Sequence, residues 1–249
     1  MERIATLIVE WMRREVADAG GKGVVLGISG GLDSAVAAAL CRRAFPHACL
    51  GLCLPCYSDP EDLDHARAVA ERFGLPVRTV HLGPALDAIA GSLHGLGPAF
   101  DPETEHLARA NIKPRLRMLT LYYVAGRLGY LVVGTSNASE LAVGYFTKYG
   151  DGGVDILPLG NMLKSDVRRL AKHLGVPEEV VSKAPSGGLW EDQTDEAELG
   201  VTYAELDRYL TTGEARPEVK QRIDDLVSRS AHKRKQPPMP PPLDQYDGA

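Results

Sequence analysis

The stretch Gly27-Ile28-Ser29-Gly30-Gly31-Leu32-Asp33-Ser34 has the residue types and spacing to do chemistry. The apolar run Val24-Val25-Leu26 precedes it, and a helix-like run from Ala35 to Cys41 follows. That order reads as strand, tight turn and helix start. Adjacent glycines allow positive φ and bring backbone N–H groups close to a ligand. Ser29, Asp33 and Ser34 add polar groups at a helix N-terminus, where free N–H donors and the helix dipole favour anions. The loop is a phosphate cradle, but not of the Walker A type, which ends in Gly-Lys-Ser/Thr. Here Leu32 and Asp33 follow Gly31. A carboxylate beside phosphates makes sense with a metal cation between them. The loop therefore points to ATP or a similar triphosphate, with Mg²⁺.

The elements that must position this loop follow from periodicity. Ile4, Leu7, Ile8, Trp11 and Met12 have helical spacing, which predicts an N-terminal helix over 4–16. Val24–Ile28 is a nearly all-apolar strand, as expected of a strand covered on both faces. The same reading predicts a helix over 34–45, a strand over 48–54 ended by Pro55, and a helix from Asp59-Pro60 to Phe73. A short strand over 77–81, a helix over 84–92 and a Gly-rich break come next. A long helix is predicted over 103–128 and a strand over 130–134. Such strand–helix alternation implies an α/β fold, a doubly wound, mostly parallel sheet with helices on both faces. Ligands bind beyond the carboxyl ends of such strands, where Ser29, Pro55 and Thr135 lie. Further helices are expected over 164–174, from the capping box Thr202-Tyr203-Ala204-Glu205 to Leu210, and over 216–231. Tyr149–Asp155 and Lys183–Leu199 read as irregular.

Composition narrows the classes. The 249 residues fit a single domain, with a core over 22–235 and a Pro-rich tail over 236–249. A net charge of −5 gives no general attraction for nucleic acid. No signal peptide or membrane-length apolar run is evident, so a cytoplasmic protein is expected. Cys53 and Cys56 have CxxC spacing without two further ligands nearby, which reads as a buried strand end rather than a zinc site.

Two kinds of motif carry a resemblance. Ser29–Ser34 resembles the SGGxDS loop of the ATP pyrophosphatase (PP-loop) superfamily, whose members adenylate a substrate oxygen and let a nitrogen or sulfur nucleophile displace AMP. Asn111-Ile112-Lys113-Pro114-Arg115-Leu116-Arg117-Met118 resembles the N-x-K-A-R-x-R-M helix of NAD synthetases, with Pro114 in place of the usual alanine. Gly134–Glu140 resembles their GTxNxSE segment, and Gly144–Asp155 resembles GYFTKYGDGGxD almost letter for letter. Lys183–Trp190 resembles KxPSAxLW, and His232-Lys233-Arg234 the terminal HKR. The similarity runs from about Gly27 to about Pro238.

What the resemblance implies is specific. The activity is amidation of deamido-NAD (nicotinic acid adenine dinucleotide) to NAD, with ATP as co-substrate. Asp33 and Glu140 are the implied Mg²⁺ ligands. Gly27, Ile28, Ser29, Gly30, Gly31, Leu32, Asp33, Ser34, Thr135, Lys164 and Ser186 are the implied ATP contacts, with Asp33 and Lys164 as the catalytic pair and Lys164 on a phosphate. Arg115, Lys148, Asp155, His232 and Lys233 are the implied deamido-NAD contacts. A homodimer is implied, with that site at its interface. Tyr145 and Phe146 are candidate stacking surfaces for nicotinate. Only Met1–Gly23 precede the first strand, too little for a glutaminase domain, so ammonia is the expected donor, with a separate glutaminase as its source. Asp151 and Asp155 are the candidate groups for taking a proton from ammonium.

Overall fold

The computed structural model describes residues 1–93, 102–190 and 193–242. The chain opens with α1 (Glu2–Asp18), β1 (Val24–Gly27), α2 (Leu32–Ala44), β2 (Cys49–Cys53), α3 (Pro60–Phe73), β3 (Val77–Thr79) and α4 (Gly83–Leu93). Then come α5 (Pro102–Ala110), α6 (Ile112–Leu128), β4 (Leu131–Val133), α7 (Ala138–Val143) and α8 (Lys164–Leu174). The last elements are α9 (Glu178–Ser182), α10 (Asp195–Leu199), α11 (Tyr203–Thr212), α12 (Pro217–Arg229) and a 3₁₀ turn at Ala231–Lys233. The expected Gly-rich break after α4 lies outside the described residues.

The strands form a parallel sheet in the order β3-β2-β1-β4. A single bridge from Val133 to Ile156 extends its β4 edge. One face of the sheet is covered by α1, α2, α3, α8 and α9, the other by α4 and α6. A third cluster unites α7, α11 and α12. The chain order turns back between β1 and β4, so the loops after these two strands open on one crevice.

Ala35, Ala37, Ala38 and Ala39 let α2 be buried among α1, α3 and α8. This explains a departure in α1. The helix is where periodicity places it, but its inward face is Ala5, Val9, Met12 and Val16, while Ile4 and Leu7 are exposed. Small side chains allow two helices to approach closely, and a reading weighted toward large residues misses that.

The helix expected over 103–128 is two helices divided at Asn111. The cause is Pro114. It has no N–H to bond Ala110 and is tolerated only in a first turn, so α6 must start anew at Ile112. Asn111 Nδ2 returns to Leu107 O at 2.9 Å and closes the end of α5. The short helices α7, α9 and α10 were not expected, since five or six residues carry too little periodicity to register.

Candidate active site

The Ser29–Ser34 loop leaves β1 and enters α2. Gly30 has φ +81°, and a Cβ there would meet Asp62 O of α3 at 2.3 Å, so only glycine fits. Ser34 Oγ donates to Gly31 O at 2.9 Å and shares a 3.0 Å hydrogen bond with Ser29 Oγ. Ser29 Oγ also accepts from Gly31 N at 3.2 Å. Gly31 is the N-cap of α2 and supplies no side-chain cap, so the first N–H groups of the helix lack the usual capping side chain.

Beside the loop, three charged residues from three helices converge. Lys164 Nζ lies 2.5 Å from Asp33 Oδ2 and 3.0 Å from Glu140 Oε1. The amine is nearly sealed from solvent, and its side chain is 5% exposed. Asp33 is in the first turn of α2, Glu140 in the first turn of α7, and Lys164 opens α8. A lysine at a helix start opposes the dipole. Here the two carboxylates offset that cost, and Asp207 bonds the same end through Ser165 N at 2.8 Å and through Ser139 Oγ to Lys164 N.

Burial and then Asp33 push the Glu140 carboxyl up to about 7, against the pull of Lys164. Burial alone would lower Lys164, but Asp33 and Glu140 outweigh it and hold the amine protonated. Lys164, expected as a phosphate contact, bridges the implied metal ligands in this structure. Its amine occupies the point where the two carboxylates meet.

Asn137 was not assigned any role from sequence, yet it organises this centre. Its amide donates to Asp33 Oδ1 at 3.0 Å, and it forms a capping box with Glu140 at the start of α7. The Asn-x-x-Glu spacing was the available signal. Tyr203 was also missed. Its ring lies 4.8 Å from Lys164 Nζ, and its hydroxyl is 3.4 Å from Glu140 Oε1. No local pattern announces a contact between positions so far apart in sequence.

Four of the five implied dinucleotide contacts gather about the turns at 144–150. Arg115 reaches Lys148 O at 3.4 Å, and Lys148 Nζ donates to His232 O at 2.9 Å. Lys233 Nζ holds Gly144 O and Phe146 O, both at 2.8 Å. These cations have backbone carbonyls for partners and form no ion pair among the described residues. Gly144 (φ +70°) makes the approach possible, since a Cβ would meet Ser230 Cβ at 2.1 Å. Asp155 differs: Tyr122 Oη donates to its Oδ1 at 2.9 Å and Val132 N to its Oδ2 at 2.7 Å. Tyr145 Oη donates to Glu198 Oε2 at 2.5 Å, and Lys233 lies over the Phe146 ring at 5.4 Å.

Thr135 lies two residues beyond the end of β4. Ser186 is exposed in the segment that crosses toward the loop. Two unassigned lysines tether that segment: Lys183 Nζ to Asp62 Oδ1 at 2.7 Å and Lys113 Nζ to Leu189 O at 2.7 Å. All four cysteines are buried and free of disulfides, as the strand-end reading expects.

Comparison with known proteins shows the family. Residues 4–237 match the NAD synthase family. An NH(3)-dependent NAD(+) synthetase of Carboxydothermus hydrogenoformans is 48% identical over 94% of this chain and 95% of that protein. Among solved structures, an NMN synthetase from Francisella tularensis superposes with a TM-score of 0.90 at 38% identity, covering 96% of this chain and 98% of that one. An NH3-dependent NAD synthetase from Campylobacter jejuni, in complex with the nitrate ion, does so with a TM-score of 0.80 at 27% identity, over 96% and 99%.

Proposed function

The chain belongs to the NAD synthase family, and from that premise we propose that it amidates deamido-NAD to NAD, with ammonia as nitrogen donor and ATP converted to AMP and pyrophosphate. The observation that carries this reading is the convergence of Asp33, Glu140 and Lys164 beside an uncapped phosphate loop. A carboxylate is a poor acyl donor, because oxide would have to leave. Adenylation replaces oxide with AMP.

The residues have defined tasks in this scheme. The N–H groups at the start of α2, with Ser29 and Ser34, hold the pyrophosphate portion of ATP. Lys164 supplies a positive charge for a phosphate oxygen once the carboxylates are otherwise engaged. Arg115, Lys148, His232 and Lys233 hold the phosphates and carboxylate of the dinucleotide, with Arg115 suited to bidentate contact. Asp155 fixes Tyr122 and the β4 edge beneath them.

Mg²⁺ fits the donor set. Asp33 Oδ2 and Glu140 Oε1 converge on Lys164 Nζ, and with the amine turned to a phosphate the pair could hold Mg²⁺, which takes one or two carboxylates, with phosphate and water oxygens completing its shell. Bound there by Asp33 and Glu140, it would neutralise the charge of two anions brought together and of the departing pyrophosphate.

We read the protein as a homodimer. Leu107, Leu119 and Tyr123 on α5 and α6 are 52%, 62% and 63% exposed. Leu119 and Tyr123 lie one turn apart on the helix that carries Arg115, so a second copy on this face would border the basic cluster. The free cysteines suit a reducing cytoplasm. No helix among the described residues is long and apolar enough to cross a membrane.

The close superposition on an NMN synthetase favours one second reading, in which the acceptor is nicotinate mononucleotide. Purified protein assayed with ATP and deamido-NAD should form NAD with ammonium and much less with glutamine. Equal rates with glutamine would overturn the donor. A higher kcat/KM for nicotinate mononucleotide would transfer the reading to that acceptor.

A further inference from the structure

We propose that Asp195 binds the ammonium ion and takes its first proton, so that ammonia is generated within the closed site. The inference rests on the amidation reading above.

Asp195 opens α10 and is 3% exposed. Its Oδ2 accepts from Tyr203 Oη at 2.8 Å, while its Oδ1 accepts no well-directed hydrogen bond: the Tyr145 hydroxyl beside the carboxylate gives its proton to Glu198 Oε2. Among the described residues Asp195 Oδ1 is the only buried side-chain polar atom left so. An unmet buried acceptor costs free energy and calls for an explanation. The reaction supplies a matching group: a water-sized cation that has only donors.

The location suits the chemistry. The Tyr203 hydroxyl that touches Asp195 also lies 3.4 Å from Glu140 Oε1, so Asp195 is one hydroxyl away from the adenylation centre. Asp195 N donates to Pro185 O at 3.1 Å, which ties α10 to the segment carrying Ser186. The charged and titratable groups around Asp195 are Tyr203 from α11, Tyr145 from the turn after α7, Lys164 from α8, Asp33 from α2, Glu140 from α7 and Glu198 on its own helix. The hydroxyl oxygens of Tyr145 and Tyr203 beside the carboxylate add acceptors for further N–H groups of the ion. Burial raises the proton affinity of Asp195, which makes it a stronger base than an exposed carboxylate. The other carboxylates expected for this task are engaged: Asp151 Oδ1 accepts from Thr147 N, and both oxygens of Asp155 have donors.

The step balances as follows. Ammonium gives one proton to Asp195 and becomes ammonia. The nitrogen lone pair forms the C–N bond at the nicotinyl carbonyl carbon. The bond from that carbon to the AMP oxygen breaks, and AMP leaves with the electron pair. The departing phosphate takes the second N–H proton.

The test compares wild type with Asp195→Asn in three assays. In the first, ATP–pyrophosphate exchange with deamido-NAD and no ammonium, the variant should stay within about threefold of wild type. In the second, kcat/KM for ammonium should fall by about a hundredfold to ten-thousandfold. Its residual rate should climb with pH as free ammonia does. In the third, hydroxylamine, largely neutral at neutral pH, should lose far less. Asp195→Glu, which keeps a carboxylate, should recover part of the ammonium rate. Equal losses with ammonium and hydroxylamine, or an ammonium rate like that of wild type, would overturn the proposal. Loss of exchange in both variants would also overturn it, by placing Asp195 in adenylation. A wild-type protein that forms no NAD from ammonium would instead refute the amidation reading.

Discussion

The two halves of the site solve opposite electrostatic problems. At Asp33, Glu140 and Lys164, opposite charges are buried and satisfy one another. At Arg115, Lys148 and Lys233, positive charges lean on backbone carbonyls beside His232, and Arg115 and His232 are exposed. The first arrangement is closed, so a ligand must displace an existing partner. The second is open, so an anion can add without displacing an ion pair. The difference suits the two substrates proposed: a nucleotide that arrives with its cation, and a dinucleotide whose charge the protein must meet itself.

The largest effect should come from opening the closed half. Lys164→Met leaves two carboxylates buried without their counter-ion, and breaking such a pair costs about 3–5 kcal/mol. Thermal and denaturant unfolding should show that loss, with partial recovery on adding Mg²⁺. A stability like that of wild type would mean that the carboxylates are not held by the amine. Next, Asp33→Ala should reduce NAD formation by about a hundredfold or more, while calorimetry shows deamido-NAD binding nearly unchanged. Weakened dinucleotide binding would break the division between the halves.

In the open half, Arg115→Ala should raise KM for deamido-NAD by about tenfold, the loss expected of one charge-assisted hydrogen bond. KM for ATP should not move. A matching rise in both constants would show that the two sites are not separate.

A further effect is a pH dependence confined to the closed half. Glu140 has a folded-state pKa raised to about 7 from 4.5. For an acid whose folded pKa is raised, the metal-free fold binds more protons than the unfolded chain between these values. Stability therefore falls as pH rises through that window and levels off above it. Mn²⁺ affinity, followed by electron paramagnetic resonance, should rise over the same range as Glu140 ionises. Glu140→Gln should remove both slopes, and their persistence would assign the titration to another group.

Much of this was legible in the sequence, because it depends on neighbours along the chain. The loop, the strands, the capping box at Thr202 and the helix at Lys164–Leu174 follow from spacing alone. The twelve residues Gly144–Asp155 resemble one family's segment closely enough to name the family, and the comparisons agree with it. The division at Asn111 was signalled by Pro114 but not drawn from it.

By itself the sequence determined the fold class, the phosphate loop and the chemical types present at the site. These depend on period, turn chemistry and local motif. The tertiary structure decided who meets whom. It put Lys164 between Asp33 and Glu140, seated Asn137 on Asp33, tied Asp155 to Tyr122, and left one oxygen of Asp195 without a well-directed hydrogen bond. The reason is physical. A hydrogen bond or ion pair acts over a few ångströms, and only the packing of α2, α7, α8 and α11 about a parallel sheet brings residues so distant in sequence within that reach.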